Sequence, residues 1–136
     1  MIILLRIHYI CQDKNRKQFR MFWKLVARTG GSDGLRDKDL LESAVFSALG
    51  GFGDEEAYPS VEEKAARLMY SLVNNHAFID GNKRIGVVVM LTTLRLNELE
   101  LKYTQAELIE LGLKTASGNA DYDYILNFIK SHLTNP

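Results

Sequence analysis

The sequence predicts an all-α fold, a bundle of five or six helices around one apolar central helix. Three observations carry this reading. Apolar residues recur at helical spacing along most of the chain, and few runs alternate with period two. Two segments, Ser60-Val-Glu-Glu63 and Thr104-Gln-Ala-Glu107, have the capping-box form that opens helices. Only two prolines occur, Pro59 and Pro136, so little interrupts a helical run.

Residues 1–11 are apolar but short, and Arg6 interrupts them. They lack the basic lead of a signal peptide and read as a strand or coil packed on the domain or on a neighbouring chain. Residues 14–28 have a helical pattern, with Phe19, Phe22, Trp23 and Val26 as anchors and Lys14, Arg16, Lys17, Arg20, Lys24 and Arg28 as a solvated face. The next helix starts behind Asp37 as its cap, buries Leu40, Leu41, Ala44, Val45, Ala48 and Leu49, and ends at Gly50-Gly51. Residues 50–59 read as a loop rich in glycine and acid. Behind the Ser60 cap, Val61, Ala65, Leu68, Met69, Leu72 and Val73 form one apolar face, and the helix breaks near Asn74-Asn75. A turn at 76–81 leads to residues 85–94, which are apolar on nearly every side and so belong at the centre of the bundle. The Thr104 box opens a helix that closes near Gly118. A last helix over about 121–133 turns Ile125, Leu126, Ile129 and Leu133 inward.

The 136 residues read as a single domain, 1–136, with no repeat, linker or low-complexity segment. Hydrophobic residues make up 46% and charged residues 25%, which excludes a disordered chain. Seventeen basic and seventeen acidic residues cancel, so binding nucleic acid through phosphate neutralisation is not expected. No window of 18 uncharged apolar residues is present, so no membrane span is expected. Cys11 stands alone, which rules out an intrachain disulfide or a cysteine zinc site and fits a cytoplasmic location. His8 and His132 read as surface or satisfied histidines, not ligands.

The segment that carries chemistry is His76-Ala-Phe-Ile-Asp-Gly-Asn-Lys-Arg84, just ahead of the apolar helix. A helix N-terminus presents unpaired N–H groups and a partial positive charge, so it holds anions. Gly81 lets backbone approach a ligand, and Asn82, Lys83 and Arg84 add donors and charge there. His76 is a candidate general base for a hydroxyl, and Asp80 is a hard oxygen ligand suited to magnesium. Phe78 and Ile79 anchor the turn. These are the parts that phosphoryl or nucleotidyl transfer needs. A plainer account makes His76 a turn histidine, Asp80 an N-cap, and Lys83 and Arg84 solvated charges. Against it, cations in a helix's first turn oppose the dipole by roughly 0.3–1 kcal/mol each. Two together imply an anion beside them.

The residue order resembles the H-x-F-x-(D/N)-G-N-x-R signature of the Fic/Doc superfamily, and Lys83 resembles the Doc (death-on-curing) branch, where Fic proteins usually carry glycine. Upstream, Thr29-Gly-Gly-Ser-Asp-Gly-Leu-Arg-Asp37 and Leu40-Leu-Glu-Ser-Ala44 resemble the Doc-type TGGxxGxRDxxLLESA stretch, and Ala65-Ala66 also fits. The resemblance runs from about residue 25 to 133.

The resemblance implies an all-α Fic/Doc-like fold using ATP and Mg2+. It implies that His76 is catalytic, that Asp80 holds the metal, and that Gly81, Asn82, Lys83 and Arg84 bind the phosphates, with Phe78 supporting the motif. Fic members transfer AMP, whereas Doc transfers the γ-phosphate to a threonine of elongation factor Tu and arrests translation. Fic-type sites carry a second arginine three residues after the first; here that position is Val87. That absence, with the bulk of Lys83, favours a Doc-like kinase over an AMP transferase. A catalytically silent partner-binding module is the reading from a different class, and intact His76, Asp80 and Asn82 argue against it. Arg36 is a candidate to reach the site or a partner, and Asp37 is either an N-cap or part of that surface. Residues 50–60 resemble the flap that aligns a target segment by strand addition. A Phd-type antitoxin acting in trans is the implied partner, since no self-inhibitory S/T-x-x-x-E-G-N helix is seen. The chain departs from the family at Phe22, where a histidine is common, and at Asn97-Glu98, where Asn-Gly is common.

Overall fold

The computed structural model describes residues 37–49, 51–52, 55–76 and 81–134. Helix α1 spans Lys38–Leu49, strands β1 and β2 span Gly51–Phe52 and Glu55–Glu56, and helices α2, α3, α4 and α5 span Val61–Asn75, Asn82–Leu96, Gln105–Ala116 and Tyr122–His132. The fold is all-α apart from the two-stranded hairpin. The readings for residues 1–36 lie outside the described residues.

The capping boxes form as the sequence requires. The Ser60 hydroxyl accepts from the Glu63 amide at 3.1 Å, and the Glu63 carboxylate accepts from the Ser60 amide at 3.3 Å. The corresponding Thr104–Glu107 distances are 3.2 and 2.9 Å. Asp121 caps α5, its carboxylate accepting from the Tyr124 amide at 2.9 Å. Such caps contribute about 1 kcal/mol each.

The core joins four helices. Ala65, Ala66, Met69 and Val73 of α2 meet Met90 and Leu94 of α3, Leu111 of α4, and Ile125 and Ile129 of α5, all buried. Burying one leucine or isoleucine contributes about 1.5–3 kcal/mol. Every residue over 85–94 is buried or half-buried, as expected of an all-round apolar helix. The bundle's centre is the α2–α3 pair: α2 packs against α1, α3, α4 and α5, and α3 packs also against α4. Gly86 makes the pair possible. A Cβ there would stand 2.6 Å from a Val73 methyl and 3.2 Å from the Met69 carbonyl oxygen.

The expected loop at 50–59 contains a hairpin instead, with Gly51 opposite Glu56 and Phe52 opposite Glu55. Strands of two residues are too short to show a period, so the sequence reading missed them. The chain leaving the hairpin is pinned to α2. The Lys64 ammonium donates to the Tyr58 carbonyl and, at 3.4 Å, to that of Pro59. The Arg67 guanidinium lies 5.8 Å from the Tyr58 ring centre and 5.4 Å from that of Tyr70, within cation–π range. Tyr58 also meets Tyr122 of α5 at 5.3 Å.

Helix α3 ends in an unusual way. Asn97 and Leu99 both donate backbone N–H to the Leu94 carbonyl, and Glu98 between them has φ 64°. The position at which the sequence departs from Asn-Gly is therefore left-handed and held by a glutamate. No described helix is long and apolar enough to cross a membrane.

Two substitutions test this packing. Gly86→Ala should lower Tm although it removes a helical glycine, because crowding of about 1–3 kcal/mol outweighs a propensity gain of about 1 kcal/mol. A raised Tm would show that the helices part without strain. Glu98→Gly should raise Tm by a few degrees, since glycine relieves the left-handed strain at a cost of chain entropy smaller than that relief. Differential scanning calorimetry checks both.

Candidate active site

The site lies where α2 ends and α3 begins. His76 follows the last residue of α2 as its C-cap, with φ 53° and ψ 43°, and is exposed to solvent. That left-handed conformation is uncommon outside glycine, although histidine is among the residues enriched there. It costs of the order of 1–3 kcal/mol and persists where surrounding structure demands it. Gly81, with φ 77°, begins the next helix. Two left-handed residues thus bracket positions 77–80. Asp80 and Phe78 fall in that bracket and, like Arg36, lie outside the described residues.

The beginning of α3 differs from that of every other described helix. Asp37, Ser60, Thr104 and Asp121 cap α1, α2, α4 and α5 with side-chain oxygens. Gly81 brings no side-chain cap to α3, and the first turn holds no acidic residue. Instead Lys83 and Arg84 are exposed there, with Asn82 half-buried. A Cβ on Gly81 would stand 2.9 Å from an Arg84 Nη atom, so the guanidinium folds back over the Gly81 backbone. The positive end of a helix dipole, a glycine and a guanidinium therefore converge on one spot, a donor set that suits phosphate oxygens.

Neighbouring elements hold this arrangement. The Asn75 side-chain amide donates to the Leu40 carbonyl of α1 at 3.5 Å, one residue before His76. Leu40, in the upstream block, is therefore tied to the residue that precedes His76. Asp37 acts at the start of α1 as a cap, its Oδ1 accepting from the amides of Asp39 at 2.9 Å and Leu40 at 3.1 Å. On the other side, a Cβ on buried Gly112 of α4 would stand 3.8 Å from the Lys83 Cβ and 3.6 Å from a Val87 methyl. At Gly112, α4 therefore passes beside the first turn of α3. The sequence reading did not single out Asn75 or Gly112. Asn75 was legible only as a helix breaker, and nothing in the local pattern of α4 marks Gly112.

The family described as Fic/DOC matches residues 5–94. The chain belongs to the Fic/DOC family. The matched stretch contains α1, α2, all but the last two residues of α3 and the 76–84 segment, whereas α4 and α5 lie beyond it. It starts and stops earlier than the 25–133 span read from motifs. A curated relative, Toxin Doc of Mycolicibacterium smegmatis, is 40% identical over 72 residues, 53% of this chain. The chain spans 55% of that relative's length, about half.

His76→Gly should fold with Tm unchanged or higher, because glycine takes φ 53° at less cost. A clear fall in Tm on melting would mean that the imidazole is a structural strut.

Proposed function

We propose that this protein is a Doc-like toxin that transfers the γ-phosphate of ATP to a hydroxyl of a protein target, by resemblance a threonine of elongation factor Tu, and so arrests translation. The supporting observation is the start of α3, where the cap position is a glycine and Lys83 and Arg84 stand in the first turn, preceded by an exposed left-handed histidine. In this reading the His76 imidazole takes the proton of the target hydroxyl as its oxygen bonds to phosphorus. The bond from that phosphorus to the bridging oxygen breaks, and ADP leaves. Gly81, Asn82, Lys83 and Arg84 hold phosphate oxygens and spread the charge that builds up in transfer. Asp80 is the residue that would hold magnesium, which when bound would supply positive charge to the phosphates.

Val87 supports phosphate rather than AMP transfer. It occupies the place of the second Fic arginine, is half-buried against the core, and lies beside Gly112. The valine there supplies no second cationic ligand for phosphate. The name of the relative, Toxin Doc, supports the toxin reading. A Phd-type antitoxin in trans and a cytoplasmic site of action belong to the same proposal.

Incubation with elongation factor Tu, Mg2+ and ATP labelled at either the γ- or the α-phosphorus tests it. Only the γ-label should reach the factor, and His76→Gly should abolish the transfer. An α-label on the factor would show AMP transfer. No label from either, with toxicity kept by His76→Gly, would show a silent partner-binding module.

A further inference from the structure

The far end of the bundle holds a cluster that the 76–84 site does not use. Leu101, between α3 and α4, forms an antiparallel bridge with Leu133, just past α5. The Lys102 amide donates to the His132 carbonyl at 2.8 Å, and the Thr134 amide donates to the Glu100 carbonyl at 3.0 Å. The strap at 99–103 is therefore paired with the chain leaving α5. Beside this pairing lies the His132 ring, stacked on Phe128 with centres 3.9 Å apart. Its Nε2 is 2.7 Å from a Glu107 carboxylate oxygen, and its Nδ1 is 2.7 Å from the Phe128 carbonyl oxygen.

Both of those oxygens are acceptors. A carbonyl has no proton to give, and the other oxygen of Glu107 already accepts from the Thr104 amide at 2.9 Å. Each ring nitrogen must then carry a hydrogen, and an imidazole with two hydrogens is a cation. The Ser131 hydroxyl, 3.0 Å from Nδ1, can rotate and does not change what the Phe128 carbonyl requires.

We infer that His132 and Glu107 form a pH-operated clasp holding the 99–103 strap to the end of α5, closed when the imidazole carries two protons and loosened when it loses one. Among the described residues, Glu107 of α4 is the charged group that acts on His132. Its own helix offers the Phe128 carbonyl and the Ser131 hydroxyl, and the strap offers the Lys102 amide to the main chain. The electrostatics have the matching sign. Burial pulls His132 down, but the bonds to Glu107 and the Phe128 carbonyl, with the Glu107 charge, together raise it above its ordinary 6.5. Glu107 is held below its ordinary 4.5 by the His132 bond first and the Thr104 bonds next. The histidine contribution is full below 6.5 and is lost as pH rises through the raised value. The glutamate contribution is full above 4.5 and is lost as pH falls through the lowered value. The clasp is tightest between the two. The strap also lines a cavity of about 400 Å³ with Leu91, Leu94 and Arg95, so the clasp fixes one wall of it.

Amide hydrogen exchange on the full chain, corrected for the intrinsic effect of pH, tests the clasp. Protection at Lys102 and Thr134 should fall as pH rises above 6.5 through the raised His132 value, by about tenfold for each unit by which His132 is raised. Amides in the α2–α3 core should not follow. In His132→Gln the pH dependence at these two amides should vanish. Glu107→Gln keeps the cap and should shift the loss of protection to lower pH. Nitrogen shifts of the wild-type His132 ring give a readout that needs no variant: both nitrogens should be protonated below pH 6.5. Protection independent of pH, an unchanged pH dependence in His132→Gln, or a neutral ring in that range would overturn the inference.

Discussion

The close contact between α2 and α3 governs what the rest of the structure can do. The two helices are consecutive, and each delivers one half of the site: α2 ends in His76, and α3 begins at Gly81. Their separation sets the distance between the imidazole and the candidate anion-binding helix end. Gly86 controls that separation, because Val73 and the Met69 carbonyl occupy the space a side chain would need. Interiors pack nearly as densely as crystals, so a shift here would pass to both ends of the pair. Helices α1, α4 and α5 all pack against α2 and so brace the same pair.

The electrostatics follow from that brace. Four of the described helices neutralise their positive ends with an Asp, Ser or Thr oxygen. Helix α3 has no such cap and carries Lys83 and Arg84 in its first turn. The burial of Ile85, Val89, Met90 and Leu94 stabilises the helix that carries these cations. Stability from the core thus allows a charge distribution that suits a ligand. The same trade is visible in the backbone, where His76 is held left-handed between the end of α2 and the turn.

The opposite end of the bundle is built on different principles. The chain turns at Glu98 in a left-handed conformation, runs along the strap, and enters α4 through the Thr104–Glu107 box. Glu107 serves two purposes there, since one oxygen completes the box and the other faces His132. One carboxylate therefore couples the start of α4 to the end of α5. That coupling lies near the C-terminal end of α3, a helix of 15 residues, or about 22 Å, from the end that carries the candidate site.

The sequence by itself determined the helices at 38–49, 61–75, 82–96, 105–116 and 122–132. Those are set by capping oxygens, glycine ends and apolar spacing, all of which act within a few residues. It also determined the family, because the 76–84 motif is contiguous. Only the tertiary structure decided which contacts span long separations. The Asn75–Leu40 bond bridges 35 positions, and the His132–Glu107 pair bridges 25. The crowding at Gly86, the passage of α4 past Lys83 at Gly112, and the two-residue hairpin likewise depend on neighbours that no local pattern names. The physical reason is range: caps and periodicity are local, whereas close approach and partner choice are fixed only when separate helices share one core.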